Sequence, residues 1–238
     1  GAVVVTLNAA ADTGVNLTQL TGSAGITSIT AAESFTFAGT LHGTVATTVA
    51  DSVTFTTTAL KATGKTISDG DDTATVAITA LHSDLDADLS GIDANTVTAA
   101  FDDNGTFTGD LGTAVVTVAT NKTLTATALK VTGKSIVDAG ADTATVAITA
   151  LHSDLDADLS GIATNTVTAA FDDNGTFTGD LGTAVVTVAN DKTLTGAANK
   201  LVNHTIDKAD GGNGAVVVTL NAAADTGVNL TQLTGSAG

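Results

Sequence analysis

The sequence predicts an all-β protein, a parallel β-solenoid with about nine rungs per 213-residue period, and three observations predict it. One short apolar pattern returns nine times in a single order. The composition is rich in Thr, Ala, Val, Asp and Gly, which suits pleated strands joined by turns. The apolar side chains are small, so each segment must borrow burial from neighbouring copies.

The pattern is clearest in TFTGDL, at Thr106 to Leu111 and again at Thr176 to Leu181. Looser copies are TFAGTL (Thr36 to Leu41), DLSGI (Asp88 to Ile92 and Asp158 to Ile162) and NLTQL (Asn229 to Leu233). Longer copies delay the second apolar residue, as in TFTTTALKATGKTI (Thr54 to Ile67), TLTATALKVTGKSI (Thr123 to Ile136) and TLTGAANKLVNHTI (Thr193 to Ile206). The first landmark is always Phe or Leu: Phe37, Phe55, Leu89, Phe107, Leu124, Leu159, Phe177, Leu194 and Leu230. The second is Leu41, Ile67, Ile92, Leu111, Ile136, Ile162, Leu181, Ile206 and Leu233. Successive second landmarks mark cycles of one turn each, the length expected of a stacked repeat unit.

Strand alternation then places Phe107 inward and Thr106 and Thr108 outward. Stacked cycles align Phe and Leu in an inner column beside outward Thr and Ser, and nine of them rise about 43 Å. The inserted ALKATGK and ALKVTGK form a longer corner or a third face, with Gly64 and Gly133 supplying the bend. An array of antiparallel β-sandwich domains is the rival fold. Against it, Asn-Gly turns occur only at Asn104-Gly105 and Asn174-Gly175, apart from a loop at Asn213.

Larger repeats contain these cycles. TATVAITALHSDLDADLSGI occurs at Thr73 to Ile92 and at Thr143 to Ile162, and the run from Asn95 to Ala119 returns at Asn165 to Ala189. Gly1 to Gly25 is identical to Gly214 to Gly238, so the whole pattern closes on itself after nine cycles. The expected organisation is 1–20 as the end of a preceding repeat, then three repeats of three rungs at 21–92, 93–162 and 163–233. Residues 234–238 begin the next. The chain opens on Gly1, not Met, and with the identical ends this leads to the expectation of a window on a longer tandem array.

The charge balance excludes one class of partner. Eight lysines, no arginine and 25 acidic residues, all Asp but Glu33, give a formal charge of −17, so nucleic acid is not a partner. Cysteine is absent, which excludes disulfides and thiolate metal sites. No apolar run approaches the roughly 18 residues of a membrane span.

The candidate site is an acidic corner. Asp84, Asp86 and Asp88 alternate with Leu85, Ala87 and Leu89, so their carboxylates share an outer face, and the next cycle brings Asp102, Asp103 and Asn104 to the matching turn. The set recurs as Asp154, Asp156, Asp158 with Asp172, Asp173, Asn174. Carboxylates about 4 Å apart repel by about 1 kcal/mol in water and more near protein. Lys122 and Lys192, at the matching turn of the following cycle, offset part of this. Ca²⁺ bound by six to eight oxygens would resolve it, while a solvated acidic face is the simpler reading. No cofactor is required. DLDADLSG departs from a calcium-loop pattern at Leu89, where that loop needs Gly.

Other features are read as structural. His42, His82, His152 and His204 show no metal-ligand spacing, and His82 and His152 hold one repeat position at a turn. Lys65 and Lys134 are expected to pair with Asp69 and Asp138 in corner salt bridges of small worth. T-x-T ladders such as Thr54/Thr56 and Thr123/Thr125 suggest ice binding, but Asp88/Ser90, Asp158/Ser160, Thr36/Ala38 and Asn229/Thr231 break them. Outward Thr as a strand former accounts for them better. No Ser/His/Asp grouping stands out, and the reading is of a protein that is not an enzyme.

The runs VTVATNKTLTATALKVTGKSI and LHSDLDADLSGI resemble the repeats of very large bacterial surface proteins of the β-strand-repeat, adhesin and S-layer-like kind. The resemblance covers essentially the whole chain. It implies an extracellular or cell-surface structural protein, a filament, sheath or surface layer, or the stalk of an adhesin. It also implies other copies of itself and cell-surface polysaccharide as partners, and it transfers no catalytic residues.

Overall fold

The computed structural model describes residues 3–20, 25–140, 143–220, 229, 230, 235 and 236. It is a parallel β-solenoid of about ten turns, nearly all β, with three single-turn α-helices among the described residues. The strand pairs described run parallel throughout. The antiparallel sandwich array is thereby set aside. The chain divides into two compact units, Gly1–Asp103 with Phe107–Thr117, and Asn104–Thr106 with Val118–Gly238.

In the first unit, strands Val3–Leu7, Ile26–Ala31, Thr47–Val49, Ile67–Asp69 and Ile92–Asp93 stack in one sheet. Phe35–Thr36, Thr54–Thr58, Thr75–Leu81 and Thr96–Phe101 stack in another. A third side has little regular strand and is held by bridges such as Asn16 to Thr40 and Asp88 to Asp110. The second unit repeats this plan. One sheet runs Gly105–Thr106, Thr123–Thr127, Thr145–Leu151, Thr166–Phe171, Val185–Val188, Ile206–Lys208. Another runs Asn174–Phe177, Thr193–Ala197, Ala215–Thr219.

The inner column is apolar as the landmarks predict. Phe37, Phe55, Phe107, Phe177, Leu89, Leu124, Leu159 and Leu194 are all buried, as are Leu41, Ile67, Ile92, Leu111, Ile136, Ile162, Leu181 and Ile206. Leu230 is the exception, largely exposed, and Leu233 and Thr231 lie outside the described residues. Burying each such side chain contributes about 1.5–3 kcal/mol. Phe35, Phe37 and Phe55 add edge-on and tilted ring contacts, with the Phe55 centroid 5.7 Å from each of the other two.

The register differs from the sequence alignment in two ways. Phe55 opposes Phe35, Leu124 opposes Gly105 and Leu194 opposes Gly175, so the aligned landmark, Phe37 or Phe177 for example, falls two residues further along the turn. The bridges Asp88 to Asp110 and Asp158 to Asp180 set Leu89 beside Leu111 and Leu159 beside Leu181, not beside Phe107 and Phe177. Backbone clearance decides this. A Cβ on Gly109 would collide with the Ala87 carbonyl oxygen, and Gly179 stands the same way to Ala157. The glycine of TFTGDL therefore lets one turn press against the carbonyl of the turn before.

The corner insertions each hold one helical turn: α1 (Ala59–Ala62), α2 (Ala128–Val131) and α3 (Ala198–Leu201). Each buries its first and last residue and is followed by a left-handed position, Gly64 (φ 64°), Gly133 (φ 66°) and Asn203 (φ 73°). Turns differ in length whether or not they hold a helix. Neither the stretch from Ile136 to its partner Ile162 nor that from Ala169 to its partner Val186 contains a described helix, yet the first is much the longer. The strand Thr166–Phe171 absorbs the change, offering Thr166–Ala169 to one neighbour and Thr168–Phe171 to the other. Equivalent strands of successive repeats therefore fall in different sheets, as Thr123–Thr127 and Thr193–Ala197 do.

Phe55→Ala should lose about 3–5 kcal/mol of stability, because its cavity sits in a column that cannot collapse. Leu60→Ser, at a side chain 68% exposed, should stay within about 0.5 kcal/mol. Gly109→Ala should destabilise although it adds only one methyl group. Urea unfolding of the three variants checks the order.

Candidate functional site

The acidic corner begins with a β-bulge. Along Thr75–Leu81 the pairing slips between Ile78, opposite Ala99, and Leu81, opposite Phe101. Ala80 takes up the extra residue at φ 53°, and Ala150 does the same at φ 51° in the second copy. A left-handed alanine is costly, and the bulge re-aims the chain beyond it. That next stretch is His82-Ser83-Asp84, and it lies against Asp102 and Asp103 of the following turn.

Side chains from the two turns then interlock. His82 Nε2 lies 3.0 Å from Asp102 Oδ1. The Ser83 amide and hydroxyl both donate to the Asp103 carboxylate, the hydroxyl at 2.7 Å. The second copy repeats both contacts, His152 to Asp172 at 2.9 Å and Ser153 to Asp173 at 2.6 Å. One histidine nitrogen and one carboxylate oxygen from each of Asp84 and Asp103 lie within 4.8 Å of one another.

The remaining predicted ligands go elsewhere. Asp86 and Asp156 accept from the hydroxyls of Thr108 and Thr178 in the next turn. Asp88 Oδ1 accepts the Ser90 amide and hydroxyl, and Asp158 Oδ1 those of Ser160. Asn104 and Asn174 lie in the register of the following strands, where Asn174 Oδ1 accepts the Thr193 amide at 2.8 Å. Asp154 stands 4.0 Å from His152 Nδ1 and is well exposed. The twelve residues thus divide between aspartates gathered about His82 or His152 and its neighbouring serine, and a row of aspartates and asparagines that accept hydroxyls or backbone amides. One imidazole and two carboxylates suit a borderline metal better than calcium, which prefers six to eight oxygens.

Asp69 and Asp138 also act as caps, and for Asp69 these bonds stand in place of the salt bridge expected with Lys65. Asp69 Oδ2 accepts the amides of Ala74 and Asn95, and its Oδ1 that of Asp71. Asp138 accepts Ala144 and Asn165. Partial burial pushes the Asp69 carboxyl up, but amide bonds led by that of Asn95 outweigh it and hold it below the usual carboxylate range. Ser160 holds Asp158 low in the same way, chiefly through its hydroxyl and then its amide. Asp51, beside Asp71 and Asp69, is pushed up by burial and then by their repulsion. His204 is half-buried and held below its usual value by burial, against the pull of Asp180. His42 Nδ1 accepts the Thr44 and Val45 amides and so shapes a loop.

Sequence spacing overlooked the roles of Ser83, Ser153, Thr63 and Thr132. The last two accept the Asp88 and Asp158 amides at 2.7 and 2.8 Å. The recurrence of HSD one turn before FDDN, in both copies, was the available signal. Beside each corner lies an open groove. One is about 460 Å³, lined by Thr58, Leu60, Ala80, His82, Asp84 and Leu85, and its copy of about 350 Å³ runs from Thr127 to Leu155. No reactive constellation beyond the His–Asp pair converges there among the described lining residues. Comparison with protein-family models, characterised proteins and solved structures finds no match.

Carboxylates held below their unfolded values contribute stability above the unfolded pKa and lose it as pH falls through the folded one. Melting temperature should therefore drop between about pH 5 and about pH 2. Ser160→Ala and Asp69→Asn should each flatten that acid limb, which a melting series across pH tests directly. Unchanged limbs would show that these caps carry no stability.

Proposed function

We propose that this chain is a structural repeat of an extracellular or cell-surface filament, sheath or surface layer, with a mechanical role and no turnover. One observation carries the reading: a turn of this solenoid is completed only by another turn stacked on it. Side chains meet in columns of like residues, such as Phe55, Val76 and Val97, so adding turns extends the same core without limit. The formal charge of −17 supports it by keeping such surfaces soluble and apart except at paired edges.

The stalk of a large adhesin, with its binding domain elsewhere, uses the same mechanics and is the second reading. Ice binding is the third. The outward column Thr54, Thr75, Thr96 favours it, but the neighbouring column passes through Ala77 between Thr56 and Thr98. No cofactor is needed for the first reading. Ca²⁺ at the corner of Asp84, Asp102 and Asp103 would stiffen it, and cell-surface polysaccharide is the partner class proposed beyond further copies.

Electron micrographs of the purified chain should show long filaments whose axial repeat corresponds to nine stacked turns of about 4.8 Å each. Thermal hysteresis without filaments would replace the first reading by the third. If calcium stiffens the corner, a chelator lowers the melting temperature of the natural chain but not that of Asp84→Asn. Identical melting curves with and without chelator rule the ion out.

A further inference from the structure

The two identical segments that begin at Gly1 and Gly214 have different neighbours. The strand Val3–Leu7 pairs with Ile26–Ala31, the turn after it. Its twin, Ala215–Thr219, pairs with Thr193–Ala197, the turn before it. Each is the outermost described strand of its sheet. One sequence is thus seen with each of two partners, on opposite edges.

The two sets of pairing are compatible. Val3 donates its amide to Gly25 and Leu7 accepts from Ala32, so residues 3 and 7, and 5 between them, turn their backbone groups to the following strand. In the twin these are 216, 218 and 220. There it is Ala215, of the opposite parity, that donates to Lys192 of the preceding turn. The same side chains face inward in both contexts. Leu7 is 1% exposed beneath Ile26–Ala31, whereas its twin Leu220, with no described turn upon it, is 63% exposed.

We propose that a second copy of this chain docks, by strand exchange, on the edge of Ala215–Thr219 that no described strand pairs. The C-terminal segment of one copy takes the place of the identical N-terminal segment against Ile26–Ala31 of the other. This rests on the filament reading and names the junction that joins one period to the next. The register follows from the first strand: Val218 opposite Ile29, Thr219 opposite Thr30, Leu220 opposite Ala31. Exchange conserves both strand interfaces, since one segment now makes the two that two segments made separately. It also frees one segment, whose recovered chain entropy opposes the entropy lost on association. The repeat along the assembly is then the spacing of the two segments, from Gly1 to Gly214.

The chain has no cysteine, so a disulfide forms only between introduced residues. Thr219 and Thr30 are at facing positions in the proposed junction, at a Cα spacing near about 5 Å that a disulfide spans. Thr219→Cys chains mixed with Thr30→Cys chains and mildly oxidised should give linked pairs of twice the chain mass as the main product. Thr219→Cys mixed with Thr6→Cys should not. Adding Val218→Pro to the first mixture should lower linkage at least roughly tenfold, because proline removes an amide from the docking edge and leaves the pairing to Thr193–Ala197 intact. Linkage through Thr6, which reports two terminal segments stacked on each other, overturns strand exchange. Filaments of the natural chain with neither linkage also overturn it and leave the filament reading standing. Linkage to Thr30 without filaments upholds the junction and removes that reading.

Discussion

Parallel pairing of consecutive turns sets each backbone about 4.8 Å from the next, and side chains and carbonyls must both fit that spacing. Inward positions accept it by stacking like upon like, Ile67 on Ile92 and Ile136 on Ile162. Where the backbone itself crowds, only glycine fits, as at Gly109 over the Ala87 carbonyl and Gly91 over that of Lys65. The absence of Trp, Tyr and Met follows the same logic, because a wide or irregular side chain has no equal partner above and below it.

The acidic residues answer a second demand of the same spacing. Corners expose backbone amides that no strand pairs, and a buried or half-buried amide must find an acceptor. Short aspartates meet this at Asp69, Asp88, Asp110 and Asp138, while a longer carboxylate appears only at Glu33, which reaches the Ala9 amide in the preceding turn. Much of the negative charge is therefore structural capping as well as a solvated surface. The His–Asp corner, like the Thr108 to Asp86 bond, joins side chains of successive turns and so ties turns together beyond the strand pairing.

Several of the features were legible in the residues. The alternation of TFTGDL placed Phe107 inward and its flanking threonines outward, and the delayed apolar residue marked the long corners bending at Gly64 and Gly133. Leu89 was placed wrongly, because DLSGI resembles TFTGDL in letters while its leucine belongs to the other landmark. The pairing of Lys65 with Asp69 failed for a related reason: proximity in sequence says nothing of amides from Asn95, a turn away, that reach the carboxylate first. The His82 contact was hidden by the Ala80 bulge, whose left-handed backbone no residue type announces.

By itself the sequence determined a stacked, strand-rich chain with Phe, Leu and Ile inside, because period and polarity are local and repeat with the residues. Only the tertiary structure decided which residue lies over which, where equivalent strands change sheets and which carboxylates cap amides. These depend on turn length accumulated over many residues and on close atomic clearances between turns, and neither is written in any single stretch.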